Sequence, residues 1–275
     1  MGVSSWVATG PGALVLLMVS DALADRALRE LLEYEGENRD RKRTRAIRDR
    51  PLYRQTWWSL AIVSCMLAFF FVTGPIKGHS AWFQYGIADS NQILAGSLHR
   101  TVTALTLHAD AGHVVGNAIV GGVLLSAVHR RFGAGLGSLV VLASGAAGNL
   151  MNAAWHGSDH RSLGASTAVM ATLGILAVTQ LVLNETMRPE TRRVVKWAPI
   201  VAGLALLGTF GSSPSSDLHA HGFGFLAGAL IGLVGAVPLR RRASPLPTWT
   251  QALFGSLAVA TVVGSWSVAF VLHSA

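Results

Sequence analysis

Seven long apolar stretches constrain this chain more than any other feature: residues 57–73, 113–128, 134–154, 164–183, 194–211, 219–239 and 250–272. A helix that crosses a bilayer needs about 20 mainly apolar residues. Its backbone groups have to be satisfied within the segment, since lipid offers no partners. The second stretch is short for a span and is expected to begin a few residues earlier. Composition agrees, with 51% hydrophobic and 13% charged residues, where a soluble domain carries about 25% charged. Mean hydropathy is +0.45. No period-two alternation recurs along the chain, which argues against a membrane β-barrel. The expectation is an all-α polytopic membrane protein.

The net charge of +8 does not point to nucleic acid. The basic residues gather at 39–54 before the first stretch, at His129-Arg130-Arg131 after the second, at 188–196 before the fifth and at 240–242 after the sixth. Lys/Arg-rich loops stay cytoplasmic. All four clusters fall on one side if the first span runs from inside to outside, and the connections 75–112, 155–163 and 212–218 then lie outside. Short loops and Arg in preference to Lys fit a bacterial cell (inner) membrane. The single Cys65 lies inside the first span, so no disulfide framework is expected, and it reads as a small core residue.

With that topology the second, fourth and sixth spans all enter from the outer face. Each opens on polar residues: His113 and Asn117, then Ser166, then His221. Polar groups in apolar segments are costly and mark functional sites by default. His113 and Asn117 are four apart and share a helix face. His221, Gly224, Gly228 and Gly232 form one stripe, and such small-residue stripes let membrane helices approach closely. Close packing of the fourth and sixth spans would bring Ser166 Oγ to His221, the adjacent base that a weak nucleophile needs. His113 and Asn117 would then face a developing oxyanion, where each donor lowers the barrier by about 3 kcal/mol.

These residues carry a family resemblance. His108-Ala-Asp-Ala-Gly-His113-Val-Val-Gly-Asn117, Gly164-Ala-Ser166 and His221-Gly-Phe-Gly224-Phe-Leu-Ala-Gly228 resemble, in order and spacing, the rhomboid intramembrane serine proteases. The resemblance spans roughly residues 57–239. Arg100 is similar to the arginine of the family's Trp-Arg pair, with His99 in place of the tryptophan. The resemblance implies a rhomboid-like six-helix core plus one C-terminal transmembrane helix, and a Ser166/His221 dyad without an aspartate. It implies an oxyanion site from His113, Asn117 and the Ser166 N–H, with Gly164, Gly224 and Gly228 as helix-packing residues. Substrates would be transmembrane proteins cut near the outer membrane boundary. The family usually has glycine directly after the serine. This chain has Thr167, which either narrows the pocket, shifts the serine or marks unusual substrates.

Taken singly, each of these residues has a structural reading: a helix-end serine, a capping or interfacial histidine, an asparagine bonding across helices. Their conjunction is the specific signal. The alternative function is an inactive rhomboid-like pseudoprotease that binds membrane proteins. A transporter or channel would want charges at mid-membrane, and none are visible. His108 reads as structural. Asp217 either orients His221 or meets water in the outer loop. His156, His160 and His219 read as outer-loop residues, with a metal site among them as the lesser alternative. No metal site and no cofactor are expected, given no Gly-rich phosphate loop and no Cys/His zinc pattern. Expected partners are the lipid bilayer and transmembrane protein substrates; oligomeric state is not legible. The expected organisation is an N-terminal region, 1–54, a catalytic core, 55–242, and a linker with the seventh helix, 243–275. Residues 11–24 are an extra span, an interfacial helix, or sequence ahead of a start at Met18. Residues 25–50, dense in both charges, are expected to form a cytoplasmic helix.

Overall fold

The computed structural model describes residues 5–9, 15–48, 53, 57–183, 217–240 and 245–274. The expected fifth span, 194–211, lies outside the described residues. The chain divides into two compact units, Met1–Arg50 and Pro51–Ala275.

In the first unit, strands β1 (Ser5–Thr9) and β2 (Val15–Val19) pair antiparallel, with Trp6 opposite Met18 and Val7 opposite Leu17. This corrects the reading of 11–24 as a possible helical span: residues 15–19 are strand. A run of five apolar residues carries no helical period, and pairing decides its state. Helix α1 (Ala24–Arg48) follows, as the charged stretch anticipated.

The second unit is a bundle. Its long helices are α2 (Trp57–Thr73), then α6 (Ala111–Phe132), α7 (Ala134–His156), α8 (Ser166–Leu183), α9 (Leu218–Arg240) and α10 (Thr248–Ser274). Five of these, among the described residues, are long and apolar enough to cross a membrane, and α8 is a shorter apolar helix. Leu60, Phe71, Val123, Leu230, Val234, Val259 and Val263 are exposed on them. So much outward apolar surface suits lipid and not water. The protein is an all-α polytopic membrane protein. Cys65 also points outward, which corrects its reading as a core residue; α2 offers only part of its circumference to the bundle.

Helix α8 is the most enclosed, with every residue from Val169 to Ile175 buried. It meets α9 without intervening side chains. A Cβ at Gly228 would run into the Ala171 backbone, one at Gly224 into Thr167 O, one at Gly174 into Phe225 O, and one at Gly232 would stand 2.8 Å from Ile175 Cα. Small residues thus bring the two backbones into contact. Toward the C-terminal end of α6, Val128, Phe132, Val140, Ile175 and Ala236 form a core cluster across α6, α7, α8 and α9. His129, fully buried, accounts for both ring nitrogens: Nδ1 with Ser59 Oγ at 2.9 Å and Nε2 with Ser138 Oγ at 3.0 Å, joining α2, α6 and α7. The last helix is integral to the unit. Gln251 of α10 accepts from the free N–H groups of Gly135 and Leu136 at the start of α7, at 2.8 and 3.1 Å, and donates to Phe132 O. First-turn amides have no partner within their own helix, and here a neighbouring helix supplies one.

The connection between α2 and α6 is folded. It contains α3 (Ala81–Gly86), β3 (Ala88–Asp89), α4 (Ser90–Leu94) and α5 (Arg100–Thr103). Arg100 is 1% exposed and donates to Ile87 O and Gln84 O, both at 3.0 Å. Strand β3 pairs with β4 (Arg161–Ser162), and Asp89 accepts from Arg161 at 2.8 Å. The pairing ties this connection to the segment that leads into Ser166.

Candidate active site

Ser166 opens α8. The turn before it is held from two sides: Gly164 N–H donates to Ala104 O at 2.9 Å, and Ala165 N–H donates to His108 Nε2 at 3.4 Å. Gly164 has φ +122°, a conformation open to glycine and strained for other residues. A Cβ there would stand 2.6 Å from His113 Cε1, 2.8 Å from His113 Nε2 and 3.6 Å from Ser166 Oγ. The space left by the missing side chain of Gly164 is therefore bordered by the His113 imidazole and, farther off, by the serine hydroxyl. Gly164 was expected to pack helices; it belongs instead to the turn, and its role is conformational.

The His113 backbone is set by Asp110, which caps α6 and accepts from His113 N–H at 2.9 Å. Asn117, one turn on, is 2% exposed, and its Nδ2 is buried with no hydrogen-bond partner among the described residues. An unpaired buried donor is costly and calls for a specific explanation. His221 is 4% exposed, and its Nδ1 also lacks a partner there. It lies within electrostatic reach of His113 and Asp217. Its position follows from the tight α8–α9 contact, which begins at Thr167 and Gly224, one residue after the serine and three after the histidine.

Thr167 lies where α7, α8 and α9 meet. It is buried, and its Cγ2 would lie 2.8 Å from a Cβ on Gly148 and 3.0 Å from one on Gly224. The methyl fills a space that two glycines on α7 and α9 leave open. Packing between three helices therefore accounts for its bulk.

Two residues have larger parts than the sequence suggested. His108 is fully buried, and burial pushes its imidazole down to about 3, with His113 adding to the effect and Thr106 and Asp110 opposing it. It is therefore neutral and can accept from Ala165 N–H, which makes it a brace for the serine turn. Asp217 is only partly exposed and is engaged by three neighbours. Its Oδ2 accepts from Asn152 and His160, both at 2.6 Å, and its Oδ1 accepts from Ala220 N–H at 3.0 Å as the cap of α9. Burial alone would raise its carboxyl; the Ala220, His160 and Asn152 hydrogen bonds outweigh this and hold it below the usual range. Its carboxylate is engaged away from the His221 ring, while its carbonyl accepts from His221 N–H at 3.1 Å. The short spacing from Asp217 to Ala220 was a readable cap signal. The partners on α7 and its following loop were not readable.

Comparison with known proteins bears on the family of the whole bundle. The rhomboid domain model matches residues 95–237, more than half of the chain. The chain is 28% identical over 196 residues to the rhomboid protease GluP of Bacillus subtilis, covering 69% of this chain and 37% of GluP. It is 25% identical over 193 residues to YdcA of the same bacterium, covering 70% of this chain and 93% of YdcA. It is 27% identical over 135 residues to RHOMBOID-like protein 7 of Arabidopsis thaliana, covering 49% and 42% respectively. The chain thus spans little more than a third of the length of GluP. Motif order, bundle architecture and these matches together place the chain in the rhomboid family.

Proposed function

We propose that this rhomboid is an active serine endopeptidase that cuts transmembrane substrates near the outer membrane boundary. The observation that carries the reading is the shared hollow at Gly164. There the Ser166 hydroxyl and the His113 ring border one space, while Asn117 offers a buried donor with no partner among the described residues. In the proposed reaction Ser166 Oγ attacks the scissile carbonyl and its proton passes to His221. The oxyanion accepts hydrogen bonds from His113, Asn117 and the Ser166 N–H at the start of α8, where the helix dipole also favours negative charge. His221 then protonates the leaving amine, and water resolves the acyl-enzyme through the same base. The tetrahedral oxyanion intermediate is best stabilised by donors fixed in advance, and the braced turn provides that fixity.

Thr167 no longer favours the pseudoprotease reading, since its methyl is used in helix packing. The basic clusters support placing Ser166 toward the outer face of a bacterial cell membrane. The deciding experiment is labelling of the full chain in detergent by a serine-directed fluorophosphonate, together with cleavage of a model transmembrane substrate. Wild type should label and cut; Ser166→Ala and His221→Ala should do neither, and the double variant should be little worse than either single one. Folded wild-type protein that neither labels nor cuts would move the reading to a binding protein. In intact cells carrying Cys65→Ala, a cysteine at Arg130→Cys should react with an impermeant thiol reagent only after lysis; reaction before lysis would overturn the orientation.

A further inference from the structure

Beside the candidate active site, at the outer ends of α7 and α9, lies a second polar cluster that peptide hydrolysis does not use. His156 closes α7, His160 follows in the loop, and Asp217 and His219 open α9. One ligand atom from each of His156, Asp217 and His219 lies within 4.8 Å of the others. The His156 ring stacks on His160, with centroids 3.7 Å apart and planes 8° apart, and meets His219 edge-on at 5.2 Å. His156 Nε2 is buried and has no hydrogen-bond partner among the described residues. Three imidazoles around one carboxylate, one of them with an idle buried nitrogen, is an arrangement that hydrogen bonding within the protein leaves incomplete.

We infer that His156, Asp217 and His219 form a binding site for a divalent transition-metal ion of the zinc type, open on its fourth side to water. Two imidazole nitrogens and a carboxylate oxygen are a donor set that suits Zn²⁺, while hard ions such as Ca²⁺ and Mg²⁺ take oxygen ligands. Zinc–ligand bonds of about 2.0–2.2 Å require the donor atoms to draw together by roughly 1–1.5 Å from their present separation. Side-chain rotation would supply that movement: His219 is exposed, and its ring touches only Trp155 and His156 among the ring contacts of the described residues. The supporting groups are already in place. Asn152 and His160 hold Oδ2 of Asp217, and Ala220 N–H holds Oδ1, as outer hydrogen bonds orient metal-binding carboxylates elsewhere. The ion would join the end of α7 to the first turn of α9, the turn that carries His221.

The site is independent of the peptidase reading, and its test is metal binding by the full chain in detergent, purified without a histidine tag. Zn²⁺ is titrated in competition with a chromophoric chelator, and Co²⁺ is added as a visible-absorption probe of coordination. Wild type should bind one equivalent of Zn²⁺, give tetrahedral Co²⁺ bands, and melt at a higher temperature with Zn²⁺ but not with Mg²⁺. His156→Ala and His219→Ala should each weaken Zn²⁺ binding by at least 10-fold and abolish the Co²⁺ bands. His160→Ala should weaken it about 10-fold while keeping them. His219 is exposed, so His219→Ala keeps the test informative should His156→Ala fail to fold. No binding by wild type, or equal binding by wild type and His219→Ala, would overturn the proposal.

Discussion

Replacing Gly228 with alanine probes the link between helix packing and the proposed dyad. A Cβ at this position would stand 2.6 Å from both Cα and the carbonyl carbon of Ala171, and closer still to its carbonyl oxygen. All three are backbone atoms, so no rotamer change relieves the overlap. Restoring a carbon–carbon separation of about 3.5 Å requires α8 and α9 to part by roughly 1 Å at this level. Overpacking of this kind costs roughly 1–3 kcal/mol, which a bundle of this size should survive. The effect on chemistry should be larger. Ser166 and His221 ride on the two helices being separated, and a 1 Å misplacement costs about 100-fold in rate. The matched control is Gly222→Ala, on the same helix beside His221, where a Cβ meets nothing within 4 Å. Substrate cleavage, fluorophosphonate labelling and thermal unfolding should be measured on both. Gly228→Ala should remain folded and lose about two orders of magnitude in cleavage, while Gly222→Ala stays near wild type. Wild-type cleavage by a folded Gly228→Ala would refute the claim that backbone contact at this position sets the dyad.

Three further outcomes are expected. Thr167→Gly removes a packed methyl and adds a flexible residue, so it should destabilise by roughly 1–3 kcal/mol while Ser166 still labels; a higher melting temperature would contradict the packing role. His108 has a folded value of about 3 against about 6.5 when unfolded, so between these values the unfolded state binds the extra proton. Stability should therefore fall as pH drops below about 6.5, by about 1.4 kcal/mol at pH 5.5, and His108→Gln should flatten that slope in detergent unfolding at pH 7.5 and 5.5; an identical slope would exclude His108 as its source. Gln251→Leu strips the amides of Gly135 and Leu136 of their acceptor and should destabilise by roughly 1–3 kcal/mol, with the loss read from thermal unfolding; an unchanged melting temperature would show that water replaces it.

The membrane class, the long helices outside residues 184–216 and the order of the Ser, His and Asn motifs were legible in the sequence. Hydropathy over about 20 residues and helical spacing are local properties, and lipid permits few alternatives to a helix. The glycine stripe on α9 announced a close contact, and the structure places α8 against it. Other features depended on partners far away in the chain. Residues 15–19 became a strand because 5–9 were available to pair. Cys65 turned outward because of which face of α2 meets the bundle. Thr167 was absorbed because Gly148 and Gly224, on two other helices, leave room for its methyl. His108 became a brace, and Asp217 joined a network, through groups 57 and 65 positions distant. The sequence by itself determined what must enter the membrane and which polar residues open its helices. Only the tertiary structure decided which polar groups are satisfied and which remain idle, because hydrogen-bond partnership is a property of the packed bundle and not of any one helix.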